Sequence, residues 1–455
     1  MITNEEIKIT GHCMRHALEN GASAVRISLN KCVTDTYTVL NGELDKTSHS
    51  ADRSIYLYIF ADGRYGTFST NRLEKDELET FIINAIEMVR MLGEDSCRRL
   101  PDPERTAKDA KTGRELDLYD ESYAAMDEKA MLANAMRLSI YDKIKSQSEE
   151  YRLISEECEY SCTADDNYLV DSQGFEGRHT ETTFGLFSEM TIEDKDGNKY
   201  SGYWWHTASK AADCDIDGNG RMALERAVRQ IGPKKRRSGR YRMVVDSTAS
   251  SRLISPILNA LNASAIQQKM SFLDGAVGQK IFPEGMTLLD LARTPGRNGS
   301  RLFDTEGVAT KDSPIIEKGV IRQYFVNTYF SNKMGIPATV EDISRPCLMP
   351  FVKGNDLQSG EKGVSLDEII KLAGNGILVT GFNGGNCNPV TGDFSFGIEG
   401  FALKNGKISH PVREMLITGN IMTLWNNLLA AGNDARRSSR WQIPSLAFED
   451  VAFSS

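Results

Sequence analysis

A run of small polar residues and glycines near residue 390 holds most of the chemistry that this sequence could perform. Its amide, thiol, hydroxyl and carboxylate groups come from Asn386, Cys387, Asn388, Thr391, Asp393 and Ser395, with Gly392 among them. Glycines allow sharp turns and the close approach of another chain, and clustered small polar groups on a loop supply hydrogen bonds to an extended peptide. Three roles are open for this loop: a structural turn or subunit interface, the wall of a peptide groove, or a catalytic site.

A catalytic role would use Cys387 or Ser395 as a nucleophile, and either would need a base within hydrogen-bond reach. The nearest histidine in sequence is His410, and none occurs between His206 and His410. A base would therefore have to come from elsewhere in the fold. The loop lacks the Gly-Lys-Ser/Thr ending and spacing of a phosphate-binding loop.

Metal-binding patterns are incomplete. The zinc-protease motif His-Glu-x-x-His is absent. His12 and His16 are four residues apart on a predicted helix, on the face predicted to be solvated. Residues 213–218 resemble the start of a calcium loop, but Leu224 stands where the bidentate glutamate is needed. We therefore predict no metal ligand and no catalytic residue in this chain.

Composition excludes several classes of protein. The chain has 455 residues, 40% of them hydrophobic, and a formal net charge of −9. This charge argues against direct DNA binding through the overall field of the protein. The basic run at 234–237 is interpreted as a solvated linker. Eight scattered cysteines, Cys158 and Cys162 among them, and an N-terminus without an apolar run lead us to expect reduced thiols in a cytoplasmic protein. No apolar stretch is long enough to span a membrane.

The elements that would position these residues alternate between helical and strand patterns. Helices are predicted over 4–20, 78–92, 123–144, 221–231, 250–268 and 420–431, and strands over 25–29, 36–40, 54–60, 241–245 and 377–380, with a β meander over 151–207. Asn41-Gly42, Asp62-Gly63 and Lys318-Gly319 are hairpin turns. The pattern is typical of an α+β fold with mixed, mainly antiparallel sheets and flanking helices. The breakers and charges of 232–239 predict two domains, 1–237 and 238–455.

Ordered matches along the chain resemble the PmbA/TldE family, which is also called modulators of DNA gyrase. They run from Arg64–Thr70 through Asp171–Phe175 and Phe303–Val308 to Thr391-Gly392-Asp393-Phe394-Ser395 and the tail that ends at Pro444–Leu446. The chain departs from the family after Tyr329, where Phe330–Pro337 replaces a run of small residues and glycines.

The resemblance implies a PmbA/TldD-like fold and a place in a cytosolic TldD/TldE-type protease complex that cuts extended peptides. The sister TldD family carries zinc on His-Glu-x-x-x-His, and the corresponding helix here reads Ser255-Pro256-Ile257-Leu258-Asn259-Ala260. Zinc is therefore expected only in a TldD-type partner, and no cofactor in this chain. We also expect a homodimer when the chain is isolated.

Two alternatives remain. One is a non-proteolytic modulator of DNA gyrase or of a toxin–antitoxin system, acting by protein binding. The other is a self-sufficient hydrolase that uses Cys387 or Ser395.

Overall fold

The computed structural model describes residues 1–144, 148, 150–354 and 363–455. In chain order its helices are α1 (Asn4–Glu19), α2 (Lys75–Arg90), α3 (Glu128–Leu138), α4 (Tyr141–Ile144), α5 (Ile216–Val228), α6 (Ser251–Ala260), α7 (Ala263–Gln267), α8 (Thr328–Met334), α9 (Leu366–Ala373) and α10 (Ile421–Asn426), with short 3-10 turns at Pro103–Arg105, Glu121–Ala125 and Ala211–Asp213.

The strands, in the same order, are β1 (Ala24–Leu40), β2 (Glu43–Ala61), β3 (Arg64–Thr70), β4 (Tyr151–Asp171), β5 (Glu176–Asp194), β6 (Lys199–Ala208), β7 (Gly239–Val245), β8 (Leu288–Asp290), β9 (Ser313–Glu317), β10 (Val320–Ile321), β11 (Pro346–Leu348), β12 (Phe351–Val352), β13 (Gly376–Cys387), β14 (Asp393–Lys404), β15 (Lys407–Asn420), β16 (Leu428–Ala431) and β17 (Leu446–Ser454).

The chain forms two compact units. Unit 1 comprises Met1–Ala227, Ala292–Lys311 and Val326–Glu341, and unit 2 comprises Val228–Leu291, Asp312–Phe325 and Asp342–Ser455. The chain first passes from unit 1 to unit 2 between Ala227 and Val228, near the boundary predicted at residue 237. Two later segments return to unit 1, which a division into 1–237 and 238–455 does not include.

Unit 1 is built on a six-stranded antiparallel sheet in the order β3-β2-β1-β4-β5-β6. Asn41 and Asp62 take positive φ angles in front of glycines, so the two predicted hairpin turns are confirmed. One face of the sheet is apolar at alternate positions, for example Val25, Ile27 and Leu29, and packs against α1 and α2. The α+β class with mainly antiparallel sheets is thereby confirmed.

Helix α1 corrects one prediction. The residues it buries include the small side chains Cys13 and Ala17, while Leu18 is exposed. Helices α1 and α2 pack side by side on the sheet, α1 against β1 and α2 against β2 and β3. His12 is accordingly not on a solvated face: it is half-buried, with Nε2 2.8 Å from the carboxylate of Glu79 on α2.

Unit 2 contains a seven-stranded sheet in the order β12-β16-β17-β15-β14-β13-β7. Strand β17 also pairs with β7, so five of the strands close into a ring: β7, β13, β14, β15 and β17. A separate four-stranded sheet has the order β10-β9-β8-β11, and its predicted turn at Lys318-Gly319 is confirmed by the pairing of Val320 with Glu317.

Two predicted helices of unit 2 are wrong in part. The helix predicted over 250–268 is two helices, because the chain turns at Leu261 and the Asn262 side chain caps α7 by accepting from the Ser264 N–H. The helix predicted over 420–431 ends at Asn426 and continues as β16, where Leu428 pairs with Phe448. Tertiary pairing outweighs the helical spacing of its apolar residues, and Trp425 and Leu428 are nevertheless buried.

No helix among the described residues is long and apolar enough to cross a membrane.

Candidate functional site

The glycine-rich run predicted as a loop is mostly paired strand, which corrects that prediction. Asn386 pairs with Ser395 and Cys387 with Phe394 across the β13–β14 hairpin, and only residues 388–392 form its tip. The Asn388 N–H donates to the carbonyl of Asp393 at 2.7 Å, and the Gly392 N–H donates to the carbonyl of Asn388 at 2.8 Å. The run therefore forms a hydrogen-bonded hairpin end.

A bulge in β13 lies just before the tip. The register with β14 shifts between Asn383 and Asn386, and Gly384 and Gly385 have φ angles of 75° and 81°. A β-carbon on Gly385 would lie 2.0 Å from the carbonyl oxygen of Ser395, whereas one on Gly384 would meet nothing within 4 Å. Gly385 is thus required both by its positive φ and by close backbone approach.

The bulge forms one wall of a groove of about 510 Å³ within unit 2. Helices α6 and α7 and the segment that follows them form the opposite wall. The lining residues are Arg252, Ser255, Pro256, Asn259, Ala260, Ser264, Ala265, Gln268, Met270, Phe272, Gly385, Asn386, Cys387, Pro389 and Phe396.

The groove brings together two features that are far apart in sequence. Ser255, Pro256, Asn259 and Ala260 belong to the stretch that the resemblance aligns with the zinc-bearing helix of the sister family, and Asn386 and Cys387 belong to the hairpin. The other predicted candidates stand beside the groove. Asn388, Thr391 and Gly392 lie in the tip, and Asp393 and the half-buried Ser395 lie on β14.

The tip is fastened at two points. The Phe272 N–H donates to the carbonyl of Pro389 at 3.1 Å, and the Ile421 N–H donates to the carbonyl of Gly392 at 2.8 Å. The hydroxyl of Thr391 also donates to Asp393 at 2.8 Å. Hydrogen bonds from Asn420 and Thr391 hold the pKa of the Asp393 carboxyl below its usual range, so this side chain is an ionised acceptor that stabilises the turn.

The two nucleophile candidates lack activation. Burial, and then the negative charge of Asp393, raise the pKa of the Cys387 thiol, which is the reverse of what a reactive cysteine needs. Ser395 pairs with Thr418, whereas His410 pairs with Ala402, seven residues further along β14. That offset corresponds to roughly 23 Å at about 3.3 Å per residue, so His410 cannot reach Ser395.

The groove does not fit a zinc ion. Zinc sites use three or four histidine, cysteine or carboxylate ligands, and Cys387 is the only residue of those types among the lining residues. In the described ranges no group of three or more His, Cys, Asp or Glu side chains could hold a metal ion.

One edge of β13 is open beside the groove. Strand β7 pairs with β13 only over Gly376–Val379, and beyond Val379 no other described strand pairs with that edge. Arg252 on α6 donates to the Gly385 carbonyl at 3.0 Å, so the edge carbonyl there points toward α6. An extended chain can add to such an edge by main-chain hydrogen bonds.

Sequence reasoning missed several groove residues, among them Arg252, Phe272 and Phe396. The available signal was Pro256, which cannot donate to the Arg252 carbonyl one turn earlier in α6 and so marks this helix as unusual.

Comparison with known proteins agrees with this architecture. Three family models match: the PmbA/TldA metallopeptidase domain 1 over residues 25–89, the central domain over 119–231 and the C-terminal domain over 238–455. The chain is 23% identical to the metalloprotease PmbA of Escherichia coli O157:H7, over 98% of this chain and 96% of that protein.

Solved structures give the same result. A Bacteroides thetaiotaomicron protein described as a candidate modulator of DNA gyrase is 40% identical, with complete coverage of both chains and a TM-score of 0.92. TldE from Thermococcus kodakarensis shares the fold at 16% identity and a TM-score of 0.80, covering 98% of this chain and 100% of that one.

Proposed function

This chain belongs to the PmbA/TldD metallopeptidase family, and we propose that it is the TldE-type subunit of a cytosolic TldD/TldE-type complex. In this role it binds extended peptides and pairs with a zinc-bearing TldD-type relative, which performs the cleavage. The single observation that carries the proposal is the groove between α6 and the open edge of β13. The side chains that line this groove do not form a zinc-ligand set.

The groove chemistry supports binding of main chain in preference to any one side chain. The open edge of β13 offers backbone donors and acceptors, and Ser255, Asn259 and Asn386 add small polar groups. Apolar contact comes from Met270, which is 43% exposed, and from the half-buried Phe272. A strand added at the usual spacing of about 4.8 Å would lie between β13 and α6.

The groove geometry offers no group that could activate a nucleophile for peptide cleavage. The thiol of Cys387 has a raised pKa, and no histidine lines the groove. The zinc chemistry of the family would therefore come from the partner subunit.

Peptide binding and its location can be tested together. A photo-crosslinkable eight-residue peptide of alternating threonine and valine should label residues 255–272 or 384–389, as read by mass spectrometry. Asn259→Trp, an exposed α6 position in the groove, should weaken binding about tenfold. Leu372→Trp, an exposed α9 position outside the groove, is the matched control and should leave affinity unchanged. Labelling elsewhere, or equal effects of the two variants, would overturn the groove as the peptide site.

The second candidate function is a modulator of DNA gyrase that acts by binding, which the description of the 40% identical relative favours. The basic run is already engaged within unit 2: Lys235 lies 3.1 Å from Glu414, and Arg236 stacks 4.5 Å from the Tyr241 ring centroid. This alternative would be favoured if the chain shifted the electrophoretic mobility of DNA in a salt-dependent way, and if the shift were lost when residues 234–237 are replaced by neutral residues.

A further inference from the structure

Arg252 is the only charged side chain among the residues that line the groove. The others are amides, hydroxyls, one thiol and apolar groups. Arg252 is exposed, and no carboxylate within the described parts of the chain forms an ion pair with it. A single unneutralised cation in a neutral groove creates a local preference for an anionic group.

The guanidinium is held in place by two contacts. Its Nη2 donates to the Gly385 carbonyl at 3.0 Å, and its central carbon lies 5.0 Å from the centroid of the Phe396 ring. The bond to Gly385 uses one of five N–H donors, so donors remain for a further acceptor. A guanidinium that is already held in position loses little entropy when it binds, and its planar fork matches a carboxylate.

We propose that Arg252 is a specificity residue that binds a carboxylate of the peptide in the groove. The carboxylate is either the C-terminus of the peptide or an aspartate or glutamate side chain. The inference rests on the proposed peptide-binding function and adds a substrate class to it: extended peptides that place a carboxylate beside the bulge of β13.

The experiment compares three fluorescein-labelled forms of one alternating threonine–valine peptide by fluorescence anisotropy. The first form has a free C-terminal carboxylate, the second a C-terminal amide, and the third a C-terminal amide with glutamate as its last residue. Wild-type protein should bind the first or the third form about tenfold more tightly than the neutral amide, as expected for a charge-assisted bidentate contact. Whichever form gains affinity identifies the source of the carboxylate.

Arg252→Gln removes the charge and, because its amide nitrogen ends two bonds short of Nη2, also removes the bond to Gly385. Comparing the three peptides within this variant separates the two roles, since loss of bulge support weakens all three peptides alike, whereas loss of recognition removes only the difference between them. This variant should bind all three peptides as weakly as wild type binds the neutral amide. Lys371→Gln removes an exposed positive charge on α9 and should keep the tenfold difference.

Equal affinity of wild type for all three peptides would overturn the role of Arg252 and leave the peptide groove intact. Equal losses in Arg252→Gln and Lys371→Gln would also overturn it, since net charge would then explain the effect. Failure of every peptide to bind wild type would overturn the proposed function itself.

Discussion

The side-chain amide of Asn420 holds the hairpin tip through Asp393. Its Nδ2 donates to Asp393 Oδ1 at 3.0 Å and to the carbonyl of Thr391 at 2.8 Å. On its other side, Asn420 Oδ1 accepts from the Met422 N–H at 3.0 Å and so caps α10. One residue therefore links the tip of the β13–β14 hairpin to the start of α10, which buries Ile421, Leu424 and Trp425.

Replacement of Asn420 should separate these two roles. Asn420→Ala removes the cap and both tip contacts, so the free energy of unfolding should fall by about 1–2 kcal/mol. Asn420→Asp keeps an acceptor for the cap but places a second carboxylate beside Asp393. Chemical unfolding should show a smaller loss for the aspartate variant at low pH than at neutral pH, because only ionised carboxylates repel each other.

The direction of this pH dependence follows from the lowered pKa of the Asp393 carboxyl. In wild type the stabilising contribution of this carboxylate is present above its unfolded pKa of about 3.9 and is lost as the pH falls through the lower folded pKa. Wild type and Asn420→Asp should therefore differ in how the free energy of unfolding depends on pH. Identical dependence in the two proteins would contradict the contact between residue 420 and an ionised Asp393.

Gly384 and Gly385 provide a matched pair of substitutions. Both have positive φ angles, so alanine at either position carries a backbone cost of about 1–2 kcal/mol. Only at position 385 does the new β-carbon meet backbone, at 2.0 Å from the Ser395 carbonyl oxygen. Gly385→Ala should therefore cost at least about 3 kcal/mol, and Gly384→Ala only the backbone term, as measured by denaturant unfolding. Similar costs for both variants would show that the bulge can shift.

The contrast between these glycines indicates how far sequence alone could lead. The hairpin turns at Asn41 and Asp62 and the α+β class follow from local composition, because turn residues and alternation act over a few neighbours. The bulge follows from the register between β13 and β14, and the open edge of β13 depends on where β7 stops pairing. Those are long-range properties, as is the juxtaposition of Arg252 with Gly385. Strand β16 lies in a segment predicted as helix, and it also depends on a long-range contact, its pairing with β17.

Cys387 should react slowly. Burial raises the pKa of its thiol, and therefore little thiolate is present at pH 7. Iodoacetamide alkylation followed by peptide mapping should show slower modification of Cys387 than of free glutathione, with the rate still rising above pH 8.5. Cys387→Ala should retain peptide binding. Rapid alkylation at pH 6 would instead indicate an activated nucleophile, and it would support a self-sufficient hydrolase that uses Cys387.

Asp304 in unit 1 predicts a pH dependence of the opposite sign to Asp393. Its carboxylate accepts from the N–H groups of Glu306, Val308 and Glu341 at 2.9–3.0 Å, but burial raises its pKa to about 6. Between about pH 4 and 6 the folded state then binds more protons than the unfolded state, so this residue lowers stability as the pH rises.

The matched variant is Asp304→Asn, which keeps an oxygen for the Glu306 and Val308 N–H groups and does not titrate. The free energy of unfolding of wild type minus that of the variant should fall by about 2–3 kcal/mol from pH 4 to pH 7. A difference that stays constant over this range would contradict a raised pKa for Asp304.

The measurement that tests the central claim most directly is peptide hydrolysis with bound-zinc analysis, on this chain alone and after co-expression with a relative that carries His-Glu-x-x-x-His. We predict cleavage and zinc only in the co-expressed complex, with the two chains co-purifying, and reduced cleavage when this chain carries Asn259→Trp. Stoichiometric zinc and cleavage by this chain alone would contradict the account.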